Sequence, residues 1–128
     1  MLVTPLTRRM FRDGRLVNDL APWADAIRTV AAEMKCALID LNVDSATAVQ
    51  AMGQTEADTL AELPRGSTPT DQTPARAQTE VNVLPTAQPR QSFDSTHLGR
   101  KGADLFAAMV ARELAANVPE MRPLLVVN

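Results

Sequence analysis

A chain of 128 residues has the length of one domain. With 45% apolar residues but only 3% aromatic ones, it can build a core of an aliphatic kind. The 13 basic and 15 acidic residues are interspersed, so no basic stripe offers itself to nucleic acid or to an anionic membrane surface, and the single cysteine, Cys36, excludes an internal disulfide and a cysteine-built metal site.

Residues 2 to 6, "LVTPL", read as a short buried strand running into a turn at Pro5. The link "TRRMFRDGRLVN" is polar and carries a turn signal at Asp13-Gly14. A helix is predicted next. Asn18 or Asp19 can cap it, Pro22 suits its first turn, and Trp23, Ile27, Val30, Ala31 and Met34 recur on one face. On that pattern Trp23 and Met34 belong to the core. "CALIDLN", residues 36 to 42, is an apolar run ending in an acid and an amide, as in a buried parallel strand. Ser45 is placed to cap a second helix through about Met52, which Gly53 would end. A weaker helical turn over residues 56 to 63 follows it. From 64 to 93 the chain turns to Pro, Thr, Gln and Arg, a composition that packs no core and reads as a long loop. The last helix is predicted from Lys101 to Asn117, with Leu105, Phe106, Met109, Val110 and Leu114 inward and Pro119 beyond its end.

Strands alternating with helices predict parallel pairing and a layered α/β fold across one domain, residues 1 to 128. Two short strands make a small sheet that needs further strands and covering layers. The expected remedy is either a homo-oligomer joined through residues 2 to 6 and the adjoining helices, or an additional N-terminal half. No apolar run approaches the ~18 residues of a membrane span. "MLVTPLTRR" lacks the apolar centre of a signal peptide, so the chain as written reads as cytoplasmic.

The chemistry concentrates in "DSTH", which holds the only histidine. Asp94, three residues before His97, can accept the Nδ1 proton and leave Nε2 as a general base. Alternatively Asp94 forms an Asx-turn and His97 lines a helix entrance. One histidine among scattered carboxylates makes no metal cluster, and no cofactor is called for. Arg8 and Arg9 follow the first strand's carboxyl end, the edge where open α/β sheets hold ligands. They either grip a sugar or an acidic substrate group, or form a solvated turn with one member packed structurally. Asp40 and Asn42 end the second strand at that edge and suit the capping of loop amides.

"DSTHLGRKGADLFAAMVARELAA" resembles the last block of the SGNH (GDSL-type) hydrolases, Asp-x-x-His before a terminal helix. "LVTPLTRRMF" and "DLAPWADAIRTVAAEMKCALIDLN" are similar to segments of the rhamnogalacturonan acetylesterase branch, in the same order. The resemblance implies a three-layer α/β/α, flavodoxin-like fold and hydrolysis of carboxylic esters, acetyl or other short acyl groups, including those on plant polysaccharide. It implies His97 as base and Asp94 as its orienting acid. The family's Gly-Asp-Ser nucleophile block and oxyanion-hole groups would lie upstream of "LVTP", and the sequence contains none of them. On that footing the chain is the C-terminal part of such a domain, secreted if it is a truncated member. The four serines are Ser45, Ser67, Ser92 and Ser95. Ser92 and Ser95 flank Asp94, but neither has the strand-to-helix setting that presents a nucleophile, so the nucleophile stays unassigned. The alternative to an esterase is a catalytically incomplete fragment, or a module for binding or oligomerisation.

Overall fold

In chain order the computed structural model forms β1 (Leu2–Val3), a hairpin of β2 (Phe11–Arg12) and β3 (Arg15–Leu16), then α1 (Ala21–Glu33) and β4 (Leu38–Ile39). It continues with α2 (Leu41–Asp58), α3 (Arg100–Asn117) and a 3-10 helix (Pro119–Leu124). The described residues are 1 to 63 and 94 to 125. The long-loop reading of 64 to 93, with Ser67 and Ser92, lies outside them.

β1 and β4 pair in parallel with Leu2 opposite Leu38 and Val3 opposite Ile39. The Leu2 and Thr4 amides donate to the Ala37 and Ile39 carbonyls at 2.9 and 3.0 Å. Parallel neighbours need a crossover, and α1 supplies it, as the strand–helix–strand order implies. The result is a mixed α/β structure with a short parallel sheet. Pro22 stands in the first turn of α1, but neither Asn18 nor Asp19 caps the helix. Their side chains are committed elsewhere, Asn18 to Asn42 at 2.8 Å and Asp19 to Arg8 at 2.9 Å.

The inward face of α1 differs from the expected one. Ala24 and Ala31 are the buried residues, while Trp23 is 67% and Met34 71% exposed. Their placement in the core is therefore corrected. One residue step turns ~100° around a helix, so packing on the small alanines carries Trp23, Val30 and Met34 onto the flank. Among the described residues the sheet has two strands, with no third strand for that flank to cover.

Asp13 and Gly14 both take positive φ, 51° and 75°. That is the pairing a two-residue hairpin turn requires, and the turn signal proves to be a full hairpin with Phe11 opposite Leu16. Gln50 fastens it to α2, accepting from the Leu16 amide at 2.8 Å and donating to the Gly14 carbonyl at 3.2 Å.

α2 starts at Leu41, directly after β4, so Ser45 does not cap it. Ser45 is buried inside the helix, its Oγ accepting from the Thr7 amide at 3.0 Å and donating to the Asn42 carbonyl at 3.3 Å. Gly53, with φ 75° and ψ 168°, breaks the helix as its sequence position suggests, and a second helical segment runs on to Asp58. Val49, Ala57 and Leu60 then meet Phe106 and Met109 of α3 in the core, with Leu6, Phe11, Met52 and Leu98 at its margin. Leu105 stays at the surface.

A polar layer closes the sheet's carboxyl edge. Arg28 donates to both Asp40 oxygens at 2.7 and 2.8 Å, and Thr4 Oγ1 donates to Asp40 Oδ1 at 2.9 Å. The Asn42 amide donates to Thr4 Oγ1 at 2.8 Å, and Asn42 Nδ2 to the Pro5 carbonyl at 3.1 Å. The Arg28 hydrogen bonds hold the Asp40 carboxyl below its ordinary range, against the opposing effect of burial. Asp40 and Asn42 are thus structural. No helix of the described residues is long and apolar enough to cross a membrane.

Candidate active site

The turn of residues 94 to 97 enters α3, and one carboxylate organises it. Asp94 Oδ1 accepts from the Thr96 amide at 2.7 Å and the His97 amide at 3.0 Å, which is an Asx-turn. Asp94 Oδ2 bonds His97 Nδ1. The Asx-turn and the contact with the imidazole therefore coexist, each on its own oxygen. The His97 and Thr96 amides, followed by the imidazole, pull the Asp94 carboxyl down to about 2.

The His97 side chain is 72% exposed. Among the described residues its ring has no hydrogen-bond partner other than Asp94. A carboxylate on Nδ1 favours the tautomer with the proton there, and Nε2 then presents a bare lone pair to whatever approaches. A general base needs such a lone pair, and no hydroxyl of the described residues is hydrogen-bonded to it.

Two segments hold the turn. The Arg9 amide donates to the Ser95 carbonyl at 3.0 Å, and Arg9 Nη2 donates to the carbonyls of His97 at 2.7 Å and Asp94 at 3.4 Å. On another side, Ala61 and Leu98 form an antiparallel bridge. The Glu62 amide reaches the His97 carbonyl at 3.4 Å, and the Gly99 amide reaches the Leu60 carbonyl at 2.9 Å. Gly99 and Gly102 permit this approach, because a Cβ on either would lie 2.7 or 2.5 Å from a main-chain oxygen of Ala61 or Leu60.

The arginine pair divides. Arg9 is 2% exposed, and burial lowers its pKa while the carboxylates of Asp94 and Asp58 oppose that shift. It sits inside the protein, as the structurally packed member that the second reading of the pair describes, and not as a surface grip on substrate. Arg8 stays at the surface in an ion pair with Asp19. Of the serines, Ser45 is enclosed, and Ser95 has its carbonyl taken by Arg9. No described hydroxyl is hydrogen-bonded to the His97 ring. No group of three or more His, Cys, Asp or Glu able to hold a metal occurs among the described residues.

Sequence reasoning did not find the platform of residues 60 to 62 or the roles of Gly99 and Gly102. The one available signal was two glycines three positions apart at a helix start, beside an otherwise polar turn.

The sign of the acid response follows from Asp94. Its folded pKa of about 2 is below the ordinary ~3.9, so its contribution is complete above pH ~4 and is lost as pH falls through about 2. The Thr96 and His97 amide resonances are expected to titrate together near pH 2. Titration near pH 4 would mean that the Asx-turn is not formed in solution.

Compared with known proteins, the chain matches no family model, no curated protein and no solved structure.

Proposed function

We propose that this chain provides the acid–base half of a carboxylic ester hydrolase of SGNH type, acting on acetyl or other short acyl esters, carbohydrate esters among them. The observation that carries the reading is Asp94 Oδ2 on His97 Nδ1, with the rest of the ring in solvent. In the reaction, Nε2 takes the proton of an attacking hydroxyl as its oxygen bonds to the ester carbonyl carbon. The imidazolium then returns that proton to the departing alkoxide as the acyl–oxygen bond breaks, while Asp94 stays ionised and steadies the cation. Water repeats the two steps to release the acid. On the SGNH pattern the reactive hydroxyl belongs to a Gly-Asp-Ser block, which the sequence does not hold, so in this reading another polypeptide segment supplies it. Without that segment the base can still activate water, at a rate lower by orders of magnitude.

Hydrolysis of p-nitrophenyl acetate by the purified chain tests this. His97→Ala should remove ~100-fold or more of the rate above buffer, and Ser95→Ala should leave it unchanged. A rate indifferent to His97→Ala would remove the site.

A second reading, an assembly module joining two copies, is favoured by the uncovered flank of α1. The amides of Leu2 and Thr4 face β4, so alternation turns the main chain of Val3 toward the other edge. Two copies paired there about a two-fold axis would make one sheet of their β1 and β4 strands and bring both flanks together. Met1, Val3, Trp23, Val30 and Met34 are all exposed apolar side chains, of the kind that association covers. Light scattering should give the dimer mass at micromolar concentration, and Trp23→Glu should return the monomer. A monomeric parent chain would end this reading.

A further inference from the structure

Asp94, Ser95, Thr96 and His97 have four main-chain carbonyls between them, and Arg9 binds three. Its amide takes that of Ser95, and its Nη2 spans the two at the ends of the turn, those of Asp94 and His97. A planar guanidinium can hold two acceptors in fixed directions, whereas an ammonium is a point donor. Burying a cation costs free energy in proportion to the water it gives up, so a side chain 2% exposed, with its Nη2 on this turn and the Asp58 carboxylate also acting on its charge, is an expensive way to brace a loop. A plain structural brace could have used main-chain pairing alone, as residues 61 and 98 do.

We infer that Arg9 is a positioning residue for the Asp94–His97 pair: by fixing the carbonyls at both ends of the turn, it sets the two side chains so that the imidazole proton stays on Nδ1 and Nε2 stays bare. The inference rests on the reading of His97 as a base. Arg9 touches neither substrate nor the reacting atoms and acts only through the two residues it aligns. Free imidazole prefers the proton on Nε2, so a loosened turn lets the tautomers mix. The Asp94 carboxylate then also loses its aligned amides.

The test is nitrogen NMR on chain labelled in its single histidine, combined with a carbon titration of the Asp94 carboxyl, in the parent chain and in Arg9→Lys. The parent should show the neutral ring mainly as the Nδ1–H tautomer and Asp94 titrating at about 2. Arg9→Lys, with circular dichroism unchanged, should lower the Nδ1–H to Nε2–H ratio at least fivefold and move the Asp94 midpoint up toward ~3.9. A folded Arg9→Lys with the parent's ratio and midpoint overturns the inference and leaves the base reading standing. A parent ring found mainly as Nε2–H overturns the base reading itself. Should Arg9→Lys fail to fold, proton exchange at the Arg9 guanidinium of the parent decides. Slow exchange with a coupling across the hydrogen bond to the His97 carbonyl supports the inference, and exchange at the rate of free arginine overturns it.

Discussion

Gly102→Val is expected to destabilise the protein by about 3 kcal/mol, the upper end of what overpacking costs. The first added carbon would lie 2.5 Å from the Leu60 carbonyl oxygen and 2.9 Å from Leu98 Cδ2. The Leu98 methyl can turn away. The Leu60 carbonyl cannot, because it accepts the Gly99 amide at 2.9 Å and so ties the entrance of α3 to the end of α2. The choice is between expelling the new side chain and undoing the platform under the Asp94–His97 turn. At this size the loss should lower the melting temperature by roughly 10 °C. Gly14→Ala is the contrast, since a Cβ there meets nothing within 4 Å and only its φ of +75° is strained, at about 1 kcal/mol. Thermal melts of both variants check the pair, and a Gly102→Val melt within a degree of the parent would show that the two segments are not in contact.

The second large effect separates two adjacent arginines. Arg9→Met should cost about 3 kcal/mol, because removing a buried donor leaves its acceptors without a partner. The carbonyls of Asp94 and His97 lose their Nη2 donor, and Asp58, itself buried, loses a cation that acts on it electrostatically. Arg8→Met removes an ion pair whose side chains are 42% and 31% exposed. Pairs of that kind contribute about 0.5 kcal/mol. Urea denaturation of the two variants should therefore differ by about 2 kcal/mol or more, and equal midpoints would contradict the burial of Arg9.

These arginines also mark where the sequence stops being legible. Both follow the same strand, carry the same charge and have polar neighbours, and only the position of the 94 to 97 turn, more than 80 residues on, decides which one is enclosed. Local signals fared better. The strand–helix–strand order, the break at Gly53, the turn at Asp13-Gly14 and the inward Phe106 and Met109 all follow from periodicity or from glycine's backbone freedom. The helical stripe of Trp23, Val30 and Met34 is apolar as the periodicity indicates, yet it lies outside the core, since periodicity locates an apolar face and not what covers it. Ser45 misled for a related reason. A serine near a helix start reads as a cap, yet here the helix begins earlier and the hydroxyl serves the amide of Thr7, 38 residues away. At the candidate site the pairing of Asp94 with His97 was legible from a spacing of three, while its supports at Arg9 and residues 60 to 62 are long-range contacts that leave no local trace.

One measurement bears most directly on the central claim, that the protein holds His97 ready to accept a proton at Nε2. In a nitrogen spectrum of the histidine-labelled chain, taken where the ring is neutral, a single imidazole gives one pair of resonances. The expected result is the proton on Nδ1 and an unprotonated Nε2, with a return to mixed tautomers in Asp94→Asn. A parent ring carrying its proton on Nε2, unchanged by Asp94→Asn, would contradict it.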